Sequence, residues 1–555
     1  MTDQITAVQR FWKLLKPDRK EISQVYIYAI FTGLLNLSLP LGISAIINLI
    51  MMGQVSTSWV ILVIFVMIGI AGTGILQIMQ LRISENIEQR IFTRASFEFI
   101  YRIPRIRLEE LYKHYAPELM NRFFDTLNIQ KGLAKLLIEL PASLLQILFG
   151  LILLSIYNPF FILFSLILLL LVTGIFWFTG KKGLDTSLKE SKYKYQVAHW
   201  LEEVARANQT FKLAGKTDLH LQKVDTHVTN YLHARESHFK VLVGQYKWMV
   251  AFKVFVATGL LVLGGLLVIN QQMNIGQFVA AEIIVLLVLS SVEKLILSLK
   301  TIYDVLTALE KMGQLTDMEL ERDSGNEIGP QQNDRGMALE LIDVQFNYPD
   351  MERPILDQLN LSVKPGERIA LTGENGSGKS TLLHILAGLY SIKGGNILYD
   401  GDPIGSLDYN GLRAVIGAYL AEDVLFEGTL LENIGIGREK ATMENIRWAI
   451  KNVGLEPFIK RLPEGIYTTL DPDGKKLPGS IIRKILMARS IADKPRLLLL
   501  EDPLEHEESA ESKRIIDFLT DPKNPWTLVA ISTNPLFQAA CTSIIEVEKG
   551  KVLPA

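Results

Sequence analysis

The sequence predicts an all-α polytopic transmembrane domain followed by a smaller α/β domain. Almost all of the long apolar runs precede Lys300, and a polar stretch at residues 315–336 ends that region. Beyond it, short β-branched runs alternate with glycine-rich turns and amphipathic helices, which is typical of α/β domains. We therefore predict a transmembrane domain at residues 1–314, a linker at 315–337 and an α/β domain at 338–555.

Length, charge and cysteine content limit the possible classes of protein. A chain of 555 residues is too long for one hydrophobic core, and 49% hydrophobic residues is high for a soluble enzyme. The net charge of -2 offers no basic surplus, so a nucleic-acid partner is not expected. The single cysteine, Cys541, excludes an intrachain disulfide framework, and its simplest interpretation is a small buried apolar side chain.

Six apolar segments are long enough to cross a membrane, which requires roughly 20 residues in a helix. The first is longer than the apolar core of a signal peptide and is not followed by a cleavage site of small residues, so we expect it to be retained. The predicted spans are residues 26–51, 59–79, 133–157, 160–178, 248–269 and 275–299.

Basic residues indicate how these spans are oriented. They concentrate before the first span and after the second and fourth, whereas the short connections at residues 53–58, 158–159 and 270–274 contain no lysine or arginine. Because positively charged connections stay in the cytosol, both termini are predicted to be cytosolic. The long cytosolic connections have apolar residues at helical spacing at residues 83–101 and 189–211, which predicts helices that continue beyond the membrane.

A glycine-rich segment in the α/β domain has the pattern of a phosphate-binding loop. It follows a short apolar strand at residues 368–371 and precedes a helical run at residues 382–389, which is the context that this G-x-x-x-x-G-K-S motif requires. Backbone N–H groups and the helix N-terminus would hold the phosphates, Lys379 would reach the β- and γ-phosphates, and Ser380 would bind Mg²⁺. The predicted nucleotide-binding residues of this P-loop NTPase domain are Gly373, Asn375, Gly376, Ser377, Gly378, Lys379, Ser380 and Thr381.

With this loop in place, residues 338–555 resemble an ABC nucleotide-binding domain, and the six spans resemble the membrane domain of ABC exporters. The resemblance covers nearly the whole chain and implies a half-subunit that dimerises with a second half-subunit, identical or different. It further implies two ATP molecules held between the nucleotide-binding domains, each touching the signature motif of the opposite subunit. Tyr348 lies where the family places an aromatic residue that stacks on adenine; the alternative is a tyrosine packed within the sheet.

The acidic pair after the apolar run at residues 497–500 departs from the family pattern. The family has Asp-Glu at this point, whereas this chain has Glu501 followed by Asp502. The resemblance implies that Glu501, with Ser380, orders the Mg²⁺ shell and that Asp502 is the general base, one methylene shorter than usual. A displacement of about 1 Å costs roughly a hundredfold in rate, so slow hydrolysis is expected.

Three further family positions are altered. The signature motif reads Leu477, Pro478, Gly479 and Ser480, without the usual hydroxyl at 478. Proline also lacks an N–H group, so a weak clamp on the partner's ATP is expected. The usual glutamine is replaced by Ala421, and the switch histidine is replaced by Thr533. Thr533 or its neighbour Asn534 can still donate one hydrogen bond, but neither replaces a histidine fully.

Charged residues within spans are costly and are therefore candidates for function. Glu282 lies a short way into the sixth span and is the candidate for the substrate path, with structural hydrogen bonding as the alternative. Lys253, early in the fifth span, is expected to extend toward the cytosolic headgroups. Residues 112–125 and 199–215 resemble the two cytosolic turns through which the family's membrane domain meets its nucleotide-binding domains.

The sequence thus predicts ATP-driven export by alternating access, with ATP and Mg²⁺ as ligands. We expect the protein to lie in a bacterial inner membrane, in contact with the membrane lipids. The alternative is a regulatory or structural protein that binds ATP without pumping, which the altered motifs favour. An importer is disfavoured because importers usually keep membrane and ATPase parts on separate chains. A membrane-fusion adaptor is a conceivable further partner, and the substrate cannot be inferred.

Overall fold

The computed structural model describes residues 6–51, 57–112, 114, 116–326, 328, 336–504 and 510–553. The chain divides into two compact units: Met1–Pro104 with Tyr115–Met318, and Arg105–His114 with Glu319–Ala555. Parts of the predicted linker (327 and 329–335) and of the predicted outer connection (53–56) lie outside the described residues.

Helices make up the first unit, and side-chain caps set where some of them begin. Thr6 and Gln9 form a reciprocal cap at the first helix, and Asn274 and Gln277 do so at the last long helix. The helices up to residue 316 are α1 Ala7–Leu15, α2 Arg19–Asn36, α3 Ser38–Met51, α4 Thr57–Arg102, α5 Leu108–Leu111 (a part of the second unit), α6 Ala116–Asn121, α7 Asp125–Ala134, α8 Leu140–Tyr157, α9 Phe160–Arg206, α10 Asn208–Leu213, α11 Leu219–Ile269 and α12 Ile275–Thr316.

The predicted spans all coincide with helical segments. Within the described residues, five helical stretches are long and apolar enough to cross a membrane, and a sixth, shorter apolar stretch, Phe160–Gly174, begins α9. The third predicted span includes a π-helical turn, Lys135–Glu139, between α7 and α8. The prediction of a helical transmembrane domain followed by a sheet-containing domain is confirmed.

Several helices are far longer than a membrane requires. Helix α4 has 46 residues, α9 has 47 and α11 has 51, so α11 alone extends about 75 Å at 1.5 Å per residue. Residues 83–101 are continuous with α4. The second predicted stretch, residues 189–211, is divided at Ala207: residues 189–206 continue α9, and residues 208–211 belong to α10. The prediction that helices run on beyond the apolar segments is therefore correct.

The second unit is built on β-strands with helices between them. Its strands are β1 Leu339–Phe346, β2 Leu356–Val363, β3 Arg368–Thr372, β4 Gly394–Tyr399, β5 Asp402–Pro403, β6 Ile416–Tyr419, β7 Gly428–Thr429, β8 Thr469–Leu470, β9 Leu497–Glu501, β10 Thr527–Ile531, β11 Ser543–Glu548 and β12 Lys551–Val552. Its further helices are α13 Lys379–Leu386, α14 Tyr409–Arg413, α15 Leu430–Gly435, α16 Met443–Asn452, α17 Glu456–Ile459, α18 Gly479–Ile491, α19 Ala510–Thr520 and α20 Pro535–Ala540.

The main sheet has the strand order β12-β11-β3-β10-β9-β6, and its five strands from β11 to β6 are parallel. Strand β9 is buried on both faces: Leu497 and Leu499 pack toward the antiparallel sheet β2-β1-β4-β5, and Leu498 and Leu500 pack toward α15, α16 and α18. Burial on both faces explains an uninterrupted apolar run. Because the strands are parallel, their carboxyl ends meet at one edge, where such sheets bind ligands.

The beginning of the predicted linker is ordered rather than a free connection. Helix α12 extends to Thr316, and Leu315 is fully buried. The Arg107 N–H donates to the Glu319 carbonyl at 3.1 Å, and the Glu321 carboxylate accepts from Arg413 at 2.6 and 2.8 Å. Arginines of the second unit therefore bind part of the polar stretch that predicts a linker.

Candidate nucleotide-binding site

The predicted phosphate-binding loop joins the end of β3 to the start of α13. Gly373 has φ +130° and Gly378, which precedes the first residue of α13, has φ +103°, values that favour glycine. A Cβ atom on Gly373 would lie 2.1 Å from the Val547 carbonyl oxygen, so this close approach of two backbones requires glycine. A Cβ on Gly376 would meet nothing within 4 Å, so the loop is open at that point.

The Lys379 side chain folds over this loop. Its Nζ atom donates to the carbonyl oxygens of Gly373 at 2.9 Å and Glu374 at 2.7 Å, and to Ser377 Oγ at 3.3 Å. The ammonium group is thus held at the loop, next to the start of a helix, while the neighbouring Ser380 is exposed. A positive charge, a helix N-terminus and an open glycine loop fit a polyphosphate.

Tyr348 lies directly beyond β1 and reaches the same helix. Its hydroxyl is 3.1 Å from Oγ1 of Thr381, the third residue of α13. Burial raises the pKa of the Tyr348 hydroxyl, which is therefore un-ionised at neutral pH. Tyr348 is half-buried beside the loop and packs against the core of the second unit. Its contact with a base stays a prediction, beside the alternative of a tyrosine packed within the sheet.

The two acidic residues after β9 have different surroundings. The Glu501 carboxylate accepts a hydrogen bond from the Ala421 N–H at 3.0 Å. This bond links the ends of β9 and β6, and it uses the extra methylene that distinguishes glutamate from aspartate. Glu501 remains partly exposed, so its second oxygen can serve Mg²⁺ together with Ser380.

Asp502 has an unusual backbone conformation. Its φ is +41°, and its N–H donates to the Ile531 carbonyl at 2.9 Å, which ties it to the end of β10. Aspartate tolerates the left-handed region better than glutamate does. The reversed order of the acidic pair is therefore compatible with the local backbone, and Asp502 lies at the sheet edge where a general base is predicted.

Beyond β10, the structure separates the two candidate replacements for the switch histidine. Thr533 is exposed. Asn534 is buried, and its side-chain oxygen accepts from the Leu536 N–H at 2.9 Å and caps α20. Because Asn534 is buried and its side-chain N–H donates to the Leu504 carbonyl at 3.5 Å, Thr533 is the better candidate to donate a hydrogen bond to a ligand.

The predicted signature residues begin α18. The Pro478 carbonyl accepts from the N–H groups of Ile481 at 2.9 Å and Ile482 at 3.2 Å, which starts the helix. Leu477 is half-buried, whereas residues 478–480 are exposed, as contact with a second subunit would require. Their predicted role toward a partner's ATP stays a prediction.

In the first unit, Lys253 has an acidic partner on the neighbouring helix. It forms an ion pair of 2.6 Å with Glu293, which joins α11 to α12, and both side chains are 34% exposed. A carboxylate on the neighbouring helix thus neutralises Lys253, and its expected extension toward the cytosolic headgroups stays a prediction. Glu282 is half-buried in α12, and its assignment to a substrate path stays a prediction.

One residue of this site escapes sequence reasoning. The Tyr112 ring stacks on the Tyr348 ring, with centroids 5.3 Å apart and an angle of 16° between the planes. Tyr112 belongs to the part of a predicted cytosolic turn that the structure assigns to the second unit. No motif or spacing in the sequence connects it to Tyr348.

Comparison with known proteins agrees with this geometry. The family model described as ABC transporter matches residues 356–505, and the model described as ABC transporter transmembrane region matches residues 25–292. This chain belongs to the ABC transporters. With one membrane region and one ATP-binding domain, it has the make-up of an exporter-type half-transporter, which confirms the resemblance.

Two relatives carry the name ATP-dependent lipid A-core flippase. The one from Desulfotalea psychrophila (strain LSv54 / DSM 12343) is 26% identical over 489 residues, which is 86% of this ABC transporter chain and 84% of the relative. The one from Dechloromonas aromatica (strain RCB) is 34% identical over 253 residues, 45% of this chain and 43% of the relative. That second match, like several others, spans less than half of the relative's length.

A solved structure shares the fold of the whole ABC transporter chain. It is a bacterial Atm1-family ABC exporter with ATP bound, and it aligns with a TM-score of 0.85 over 97% of this chain and 94% of its own. Sequence identity is 19%, so this similarity concerns the fold.

Proposed function

We propose that this ABC transporter chain is an exporter subunit that acts as a dimer and is driven by ATP binding and slow ATP hydrolysis. The observation that carries the proposal is the Lys379 ammonium held over an open glycine loop at the start of α13. It stands in one chain with helices long and apolar enough to cross a membrane.

Each residue of the site would have a distinct role in ATP binding or hydrolysis. The loop and Lys379 hold the phosphates, Tyr348 stacks on the base, and Asp502 accepts a proton from the attacking water. Mg²⁺, held by Ser380 and Glu501, would neutralise phosphate charge. In a dimer, the exposed residues 478–480 of one subunit would cover the nucleotide of the other.

We propose weak hydrolysis, because several groups are poorly suited to it. Asp502 is short, Thr533 offers one hydroxyl, and Ala421 contributes only its backbone N–H, which is bonded to Glu501. A partner half-subunit with longer side chains at these positions would give two unequal sites.

The first unit supports a hydrocarbon-rich substrate. It has an open groove of about 1140 Å³ lined by aliphatic residues of α8, α9 and α12, many of them exposed, and by Phe252 of α11, with Ser155, Ser165 and Thr173 among its few polar residues. The relatives named lipid A-core flippases make lipid A-core the first substrate to test. For the location we propose a bacterial inner membrane with both termini in the cytosol.

The altered positions also favour a second candidate, an ATP-binding regulatory membrane protein that does not pump. Two measurements on the purified chain in lipid distinguish the exporter from the regulatory protein: the Mg·ATPase rate and the ATP affinity. Both are compared with those of the Lys379→Ala variant. A rate well above that of the variant supports the exporter. ATP binding with a rate equal to that of the variant means that the chain needs a partner or acts as a regulator, and co-expression with candidate half-subunits then decides. Absence of ATP binding in both proteins contradicts both candidates.

A further inference from the structure

Among the described residues, three aromatic rings contact the Tyr348 ring. Phe346 and Tyr390 meet it edge-on, with centroids at 5.0 and 5.3 Å and interplanar angles of 83° and 88°. Tyr112 alone lies parallel to it, at 5.3 Å and 16°. Phe346 is 1% exposed, whereas Tyr112 is 44% exposed, so Tyr112 covers the side of Tyr348 that faces solvent.

The segment that carries Tyr112 is anchored at several points. The Tyr112 N–H donates to the Leu108 carbonyl at 2.9 Å and so closes α5. The Glu109 carboxylate accepts from the Ser391 N–H at 2.7 Å, next to Tyr390. The Arg107 guanidinium pairs with Glu319 at 3.0 Å. Since these bonds hold the backbone without the Tyr112 ring, removing the ring leaves the segment in place.

Aromatic side chains and nucleotide bases use the same kind of contact. Both stack through their π-faces in parallel, offset arrangements. The parallel ring of Tyr112 occupies the solvent side of Tyr348, which is where a base would have to stack. The hydroxyl of Tyr348 lies within hydrogen-bond distance of Thr381 of α13.

We propose that Tyr112 competes with the base of the nucleotide for the solvent side of Tyr348 and thereby lowers nucleotide affinity. This inference rests on the proposed function, because it assumes that Tyr348 is the base-stacking residue of an ATP site. Binding then requires the Tyr112 ring to leave, which connects nucleotide occupancy to the segment that follows α4 in the chain.

The experiment measures binding of Mg·ATP by calorimetry to the full chain in lipid nanodiscs. Tyr112→Ala should bind ATP about two- to tenfold more tightly, the range that corresponds to one aromatic stack. Tyr112→Phe keeps the stack and should match the wild type. In a Tyr348→Ala background, Tyr112→Ala should have no effect, because the two rings act through one contact.

A ligand without a base provides a further control. Inorganic tripolyphosphate should bind the wild type and Tyr112→Ala equally, since it does not use Tyr348. Unchanged or weaker ATP binding by Tyr112→Ala overturns the inference; weaker binding would make Tyr112 a supporting layer behind Tyr348. An equal gain for tripolyphosphate also overturns it. If the wild type binds ATP no better than Lys379→Ala, the proposed function itself has failed, which is a distinguishable result.

Discussion

The Ala421 N–H donates a hydrogen bond of 3.0 Å to Glu501 Oε2 and so joins the ends of β6 and β9. In Glu501→Asp the carboxylate is one methylene shorter, and we expect this bond to be lost. Because a hydrogen bond to a charged group contributes about 1.5–3 kcal/mol, the Ala421 amide should exchange with deuterium at least about tenfold faster. Hydrogen-exchange mass spectrometry of the peptide that contains Ala421 measures this.

The matched control is Glu501→Gln, which removes the charge but keeps the length and an acceptor oxygen. We expect most of the protection of the Ala421 amide to remain in this variant. Equal protection in wild type and Glu501→Asp would mean that another group shields the amide.

Asp502 should be required for hydrolysis but not for ATP binding. Loss of a general base lowers a rate by about 10²–10⁴, so Asp502→Asn should reduce the Mg·ATPase rate by such a factor while the dissociation constant for ATP stays within a few-fold. Steady-state ATPase assays of the full chain in lipid measure the rate.

Asp502→Gly distinguishes the effect of the carboxylate from the effect of the backbone conformation at residue 502. Glycine adopts the φ of +41° at this position without strain but has no carboxylate. The glycine and asparagine variants should therefore lose activity equally. A glycine variant that stays active would show that the conformation at 502, and not its carboxylate, determines the rate.

Cys541 should react slowly with thiol reagents at neutral pH. Burial raises the pKa of its thiol to about 11 from an ordinary 9.0. Since the thiolate is the reactive form, the raised pKa lowers the labelling rate about a hundredfold at pH 7.5, and the rate should then rise about tenfold per pH unit up to pH 11.

The single cysteine makes this measurement direct, because the thiol adduct of N-ethylmaleimide can form only at Cys541 and peptide mass spectrometry separates it from adducts of lysine. The same chain unfolded in detergent and urea is the reference. Labelling of the folded chain as fast as that of the unfolded chain would contradict the burial of this thiol.

The phosphate-binding loop was predictable because its chemistry is local. The glycines, Lys379 and the flanking strand and helix are contiguous in sequence, and each has one physical role there. The long helices were predictable for the same reason, since apolar and helical periodicity continues through residues 83–101 without a break.

Contacts between distant segments could not be predicted. Nothing in a single sequence relates Tyr112 to Tyr348, or the loop at Ala421 to Glu501, because each contact depends on the position of a whole segment. Composition was also insufficient for the linker: its acidic residues predict exposure to water, but Glu321 is paired with Arg413.

Lys253 and Glu293 should stabilise the first unit as an ion pair, so that the effect of each side chain depends on the presence of the other. Removing one charge leaves the other unpaired between two apolar helices, which is more costly than removing both. We therefore expect Lys253→Met and Glu293→Gln each to lower the thermal stability in nanodiscs, and the Lys253→Met/Glu293→Gln double variant to lose less than the sum.

The double-mutant cycle formed by these variants should yield a coupling free energy of about 0.5–3 kcal/mol, in the range found for residues in direct contact. The charge-reversed variant Lys253→Glu/Glu293→Lys should recover part of the stability, because the 2.6 Å pair would form again with its ends exchanged. Strictly additive losses, with no recovery on reversal, would mean that the two side chains interact with lipid headgroups separately and that the helices α11 and α12 are held by their apolar contacts alone.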